Sequence, residues 1–176
     1  MLFNEAKEIL NNKGYKLVEY YTEPPEDEYG FWERIEEGAL ESAKYATNSV
    51  AESIEKKLKE KCPGVNVYVD DVISNEDGEE HKRKWVWEYT ESFTCKLKFE
   101  VPIKYLNVTE EVAMSDDSDD LNTFDDAMEN FFDNVINSIK TDIVFDDFED
   151  IDIDKTQKTG TMTAIGTYEY KKVGDN

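Results

Sequence analysis

The amino-acid sequence predicts an α+β protein built on an antiparallel sheet, and three observations carry that expectation. From Arg83 to Tyr105 the apolar residues Trp85, Trp87, Tyr89, Phe93, Cys95, Leu97, Phe99, Val101, Ile103 and Tyr105 all fall on odd positions. Polar residues such as Lys84, Glu88, Ser92, Lys96 and Lys104 fall on even ones. A period of two sorts side chains onto opposite faces of a strand, so one face is apolar and the other wet. Such a sheet needs a helix or second sheet to cover its apolar face. Apolar residues recur at spacings of three and four in two other stretches, the signature of covering helices.

From Trp85 to Tyr105 the odd-position rule breaks once, at Glu91. An unbroken strand over 83–105 would be ~75 Å long, whereas a chain of this size has a radius of gyration of ~16 Å. The ribbon is therefore expected to bend at Thr90-Glu91-Ser92, as two strands or as one strand passing between two sheets.

In chain order, Asn4 caps a short helix with Ala6, Ile9 and Leu10 on its apolar side and Gly14 as its stop. A strand from Tyr15 to Thr22 follows, and Glu23 to Glu28, with Pro24-Pro25, forms an acidic linker. The longest element is a helix from Phe31 to Lys61, ~45 Å long. Its stripe is Trp32, Ile35, Ala39, Ala43, Ala46, Val50, Ile54 and Leu58, and Cys62-Pro63-Gly64 ends it. Small residues in that stripe predict close approach to the aromatic sheet face. Val65, Val67 and Val69 open a strand, and Asn75-Glu76-Asp77-Gly78 is read as its hairpin turn. An odd-numbered loop with Gly78 left-handed would align Val69 with Trp85 and Asp71 with Arg83.

Beyond Tyr105 the composition changes. Residues 106–154 hold seventeen Asp and Glu and one basic residue, Lys140. Asn122 or Thr123 is expected to cap a third helix, whose apolar side is Phe124, Met128, Phe131, Phe132, Val135, Ile136 and Ile139. Strands follow at Phe145–Ile153 and Thr161–Lys171, with a turn at Thr156–Gly160 and a frayed tail from Val173. The count is about six strands and three helices in one domain, 1–176, with sub-units 1–105 and 106–176. Val67-Tyr68-Val69-Asp70-Asp71-Val72 is matched by Ile143-Val144-Phe145-Asp146-Asp147-Phe148, each after a helix and before a returning strand, which suggests a duplicated α-β-β unit.

Little in the chain speaks for catalysis. His81 is the lone histidine, Cys62 and Cys95 have no metal spacing, and no Gly-rich phosphate loop opens a helix. As a calcium loop starting at Asp116, the sequence places Leu121 where glycine is required and Ala127 where glutamate is. A carboxylate-only magnesium nuclease would also need Lys or Arg to hold phosphates. No enzyme activity, metal or cofactor is predicted. The N-terminus lacks a signal-peptide pattern and no run reaches the ~20 apolar residues of a membrane span, so a soluble cytoplasmic protein is expected.

The outlying property is a formal net charge of −22. It disfavours direct binding to nucleic acid or an anionic membrane and suits a basic partner. Asp125, Glu129 and Asp133 form a row at helical spacing, Asp150, Asp152 and Asp154 a second on a strand, and Asp116, Asp117, Asp119 and Asp120 a cluster in a loop. Ordered carboxylates can present a phosphate-like field to a cationic groove. In small size, acidity and want of catalytic groups the chain resembles phage-encoded DNA-mimic decoys, which block restriction enzymes, defence nucleases or transcription factors. Its opening, Phe3-Asn4-Glu5-Ala6-Lys7-Glu8-Ile9-Leu10 through Gly14-Tyr15, is similar to openings of many uncharacterised phage and gut-bacterial reading frames. The resemblance implies an inhibitor of a nucleic-acid-binding host protein, acting in the host cytoplasm through those ten carboxylates. The alternative is a structural or interaction module, virion-associated or not, whose acidity only serves solubility.

Overall fold

The computed structural model describes residues 28–75, 78–82 and 87–174. The expected N-terminal helix, the strand Tyr15–Thr22 and nearly all of the acidic linker lie outside them. Three α-helices and five strands are described: α1 Glu28–Lys61, β1 Asn66–Ser74, β2 Glu79–Lys82, β3 Trp87–Pro102, α2 Glu110–Ala113, α3 Ser118–Phe131, β4 Val144–Asp154 and β5 Thr159–Val173. All strands join one antiparallel sheet in the order β1-β3-β5-β4, with β2 also on β3. The fold is α+β.

The alternation in β3 survives folding. Trp87, Tyr89, Phe93, Cys95, Leu97, Phe99 and Val101 are buried, as is Glu91 on the same face, and the alternate residues are exposed or half-buried. α1 lies over this aromatic face with Ala39 and Ala43 fully buried, as small residues facing a sheet allow. Thr47 ties the layers together. Its Oγ1 donates to the Ala43 carbonyl at 2.6 Å and lies 3.2 Å from Cys95 Sγ. Burial pushes the Cys95 thiol up from its ordinary pKa. At the other end Trp32 stands edge-on to Trp87, with ring centroids 5.5 Å apart, and stacks on Tyr89 at 6.3 Å. Burying a side chain such as Ile54 in this interface contributes about 1.5–3 kcal/mol.

The expected break at Thr90-Glu91-Ser92 is absent from β3, whose pairing with β5 runs without a register shift from Glu88 to Pro102. The break falls on the neighbouring edge instead. β1 pairs with β3 as far as Ser74 with Phe93, and β2 resumes at Glu79 with Thr90. β1 and β2 thus run in the same direction along one edge, so the chain does not reverse between Ser74 and Glu79. The reversal comes after Lys82, which pairs with Trp87. Val69 consequently pairs with Leu97, not Trp85. Glu91 stays on the apolar face, 7% exposed, and accepts a 3.1 Å hydrogen bond from Ser74 Oγ.

Other boundaries also move. β3 ends at Pro102 in a 3-10 turn, Ile103–Tyr105, whose Tyr105 hydroxyl donates to the Pro63 carbonyl at 2.5 Å. α3 starts at Ser118, four residues before Asn122, and gives way after Phe131 to a π-helical turn, Phe132–Ile136. Val173 belongs to β5, and the Gly174 amide donates to the Trp87 carbonyl at 2.6 Å beneath the indole ring.

The α-β-β repeat is visible in the topology. α1 leads into β1 and β3, α3 leads into β4 and β5, and the two strand pairs meet through β3 and β5 at the centre of the sheet. Asp71 pairs with Lys96 and Asp147 with Ile165, while Lys96 and Ile165 pair with each other. The strand pairing of the two halves is thus alike on either side of that central pair. Both helices lie on one side of the sheet. Gly160 pairs with Val101 of the aromatic face and packs against Met128 and Phe124 of α3, and Phe132 meets Phe148 of edge strand β4 at 5.2 Å. The acidic helix therefore lies nearer the β4 edge.

Candidate binding surface

The Asp-rich segment at 116–120 is the start of a helix. Asp117 has extended backbone, φ −68° and ψ 137°, and is the N-cap of α3, accepting from the Asp119 amide at 2.9 Å. Asp119 and Asp120 occupy the first turn, where carboxylates complement the positive end of the helix dipole. Asp116 pairs with Lys155 at 2.6 Å, and that ammonium holds its carboxyl below the usual carboxylate range. Three local interactions thus account for much of this cluster. A helical turn also cannot wrap a cation as a calcium loop does, and among the described residues no three Asp, Glu, His or Cys side chains are placed to share a metal.

Asp125 and Glu129 lie exposed on α3 as their spacing predicts, whereas Asp133 is exposed within the π-helical turn. The extra residue per turn there takes Asp133 off the regular four-residue row. Residues 118–136 contain no Lys or Arg. Asp125 titrates above the usual range, first because it is partly desolvated and then because Asp126 is beside it. The carboxylates of α3 are the charge concentration that no basic side chain of the helix offsets.

The β4 residues are arranged differently. Ile153 pairs with Gly160 and so faces the helices, which directs Asp152 and Asp154 to the opposite side of the sheet. Asp150 is out of phase with them. It has φ 55° within the irregularity between Glu149 and Asp152, so the expected three-aspartate row is a pair plus a bulge residue. Asp152 accepts from the Ile153 amide at 2.8 Å, and Asp154 accepts from the Thr156 and Gln157 amides at 3.0 Å each, capping the β4–β5 turn. Asp150 and Asp152 line an open-face cleft of about 480 Å³ with Asp70 and Lys98. The ten predicted residues therefore do not form one surface: the α3 row and the β4 pair lie on opposite sides of the sheet.

Sequence reasoning passed over a second stripe of α3. Asp126 and Asn130 of α3 and Asn134 of the π turn are spaced by four in the sequence and, with Asn107, line a groove of about 340 Å³ whose floor includes Ala127 and Phe131. The interval was visible in the sequence, but the position of Asn107 opposite it depends on the 3-10 turn. No family model matches the chain, and no match is found among curated proteins or solved structures. No helix among the described residues is long and apolar enough to cross a membrane.

Proposed function

We propose that the chain is a non-enzymatic acidic binding protein whose α3 surface docks on the basic face of a nucleic-acid-binding protein, in the manner of a DNA mimic. The observation that carries this reading is the exposed carboxylate surface of α3, with Asp119, Asp125, Asp126, Glu129 and Asp133 and no Lys or Arg between 118 and 136. Like charges at four-residue spacing destabilise a helix by about 0.2–0.5 kcal/mol per pair, so the arrangement opposes folding and suits a cationic partner. Only the α3 side enters the proposal. Asp116, Asp117, Asp152 and Asp154 have partners within the chain.

Those internal roles favour a second reading, an interaction or structural module in which carboxylates serve turns, caps and solubility. The two separate on one experiment. Replacing Asp125→Asn, Glu129→Gln and Asp133→Asn together abolishes partner binding under the mimic reading. Under the second reading the variant binds as the parent does, and contacts run through apolar or tyrosine-bearing surfaces such as the exposed Tyr45 and Tyr68.

A further inference from the structure

We infer that the groove between α3 and the 3-10 turn after β3 is the seat of an extended basic peptide segment of the partner. This rests on the acidic-binder reading and specifies where on α3 the partner lies. Asn130, near the end of α3, and Asn134, in the π turn, line one wall, and Asn107 belongs to the chain that lines the other. All three carboxamides are exposed. A carboxamide both donates and accepts, as a peptide unit does, so a row of them matches an extended main chain. The floor, with Ala127 and Phe131, suits the methylene stem of lysine or arginine, whose charged end can remain at a wet rim.

Charge selects the kind of peptide. Asp126 lines the groove itself, Glu129 and Asp133 are exposed on the same helix and π turn, and no basic residue lies between 118 and 136. An acidic or phosphate-bearing ligand would be repelled, whereas a segment alternating basic and small residues would place cations beside these carboxylates. Asn134 lies within the π-helical turn, an irregularity that recurs at functional sites in helices.

The test titrates the full chain, labelled with nitrogen-15, with the acetylated and amidated peptide (Lys-Ser)4. The side-chain amide signals of Asn107, Asn130 and Asn134 should move saturably, and the dissociation constant should rise about tenfold in Asn130→Ala with Asn134→Ala, as expected for two hydrogen bonds lost. Both positions are exposed and alanine favours helix, so a loss of binding in this variant reflects the groove. Asp126→Asn should weaken binding more than Asp125→Asn. If the peptide binds but the carboxamide signals stay fixed and the double variant binds normally, the groove is overturned while the acidic-binder reading stands. If lysine amide alone moves the same signals equally, or if a neutral oligosaccharide binds in place of the peptide, the peptide assignment falls. Absence of binding by any basic probe overturns both.

Discussion

Asp71 and Asp147 occupy equivalent positions in the two halves of the molecule, and each accepts a hydrogen bond from the amide of the residue that follows it. The distances are 2.9 Å to Val72 and 2.8 Å to Phe148. Each follows an unpaired aspartate, Asp70 or Asp146, at a register shift in an edge strand. An Asp-Asp bulge of this kind twists the edge and places charge on it, so another strand cannot add there. Part of the acidity is therefore explained by protection of two sheet edges.

Asp71→Ala and Asp147→Ala should each destabilise the fold by about 0.5–1.5 kcal/mol through loss of one hydrogen bond. Urea denaturation measures this, and the two values should agree closely if the halves are equivalent. Light scattering should reveal concentration-dependent association in both variants.

Gly166→Ala should be more damaging than Gly160→Ala. An added β-carbon at Gly160 would come 2.6 Å from Met128 Sδ, the end of a flexible side chain. At Gly166 it would meet Ile143 Cγ2 at 2.5 Å and the Val144 carbonyl oxygen at 2.9 Å, and the backbone atom cannot swing aside. Overpacking of this order costs about 1–3 kcal/mol. Thermal unfolding of both variants provides the comparison.

Tyr89 and Tyr170 should ionise late. Burial raises both phenols first, and Glu91 contributes for each. A phenol whose folded pKa exceeds its unfolded value stabilises the fold below the unfolded value of 10.0, and that contribution is lost as pH rises above it. Absorbance at 295 nm should show these two rings titrating together with loss of circular dichroism, after the exposed tyrosines.

Neutralising Asp125, Glu129 and Asp133 should raise the melting temperature. The gain is about 0.2–0.5 kcal/mol for each like-charge pair removed, discounted by solvent screening and by the π turn at Asp133. The raised titration of Asp125 has the same sign. Its protonated form is favoured in the fold, so its contribution is present below the unfolded pKa and is lost as pH rises through the folded one. In Asp125→Asn the stability decline across the carboxylate range should be shallower.

Where burial dictates one residue at a time, the sequence was legible. The alternation of β3, most of the α1 stripe and the Val69-Asp70-Asp71 and Phe145-Asp146-Asp147 strings translate into faces, layers and matching edge strands, although Thr47 is buried where Ala46 is expected. Register was less legible because it depends on the neighbour: β3 tolerates Glu91 by letting the adjacent edge strand break, and the hairpin reverses beyond Lys82. At the acidic surface, spacing located Asp125 and Glu129. It could not reveal that Asp117 and Asp154 are caps, or that the bulge at Asp150 and the facing of β4 divide the carboxylates between two sides of the sheet.

The most direct test of the acidic-binder account immobilises the parent chain and the Asp125→Asn, Glu129→Gln, Asp133→Asn variant and passes nuclease-treated bacterial lysate over each. The account predicts a DNA-binding protein retained by the parent, released at moderate salt, displaced by duplex DNA and missing from the variant. A partner that resists salt, ignores duplex DNA and binds the variant equally would contradict it.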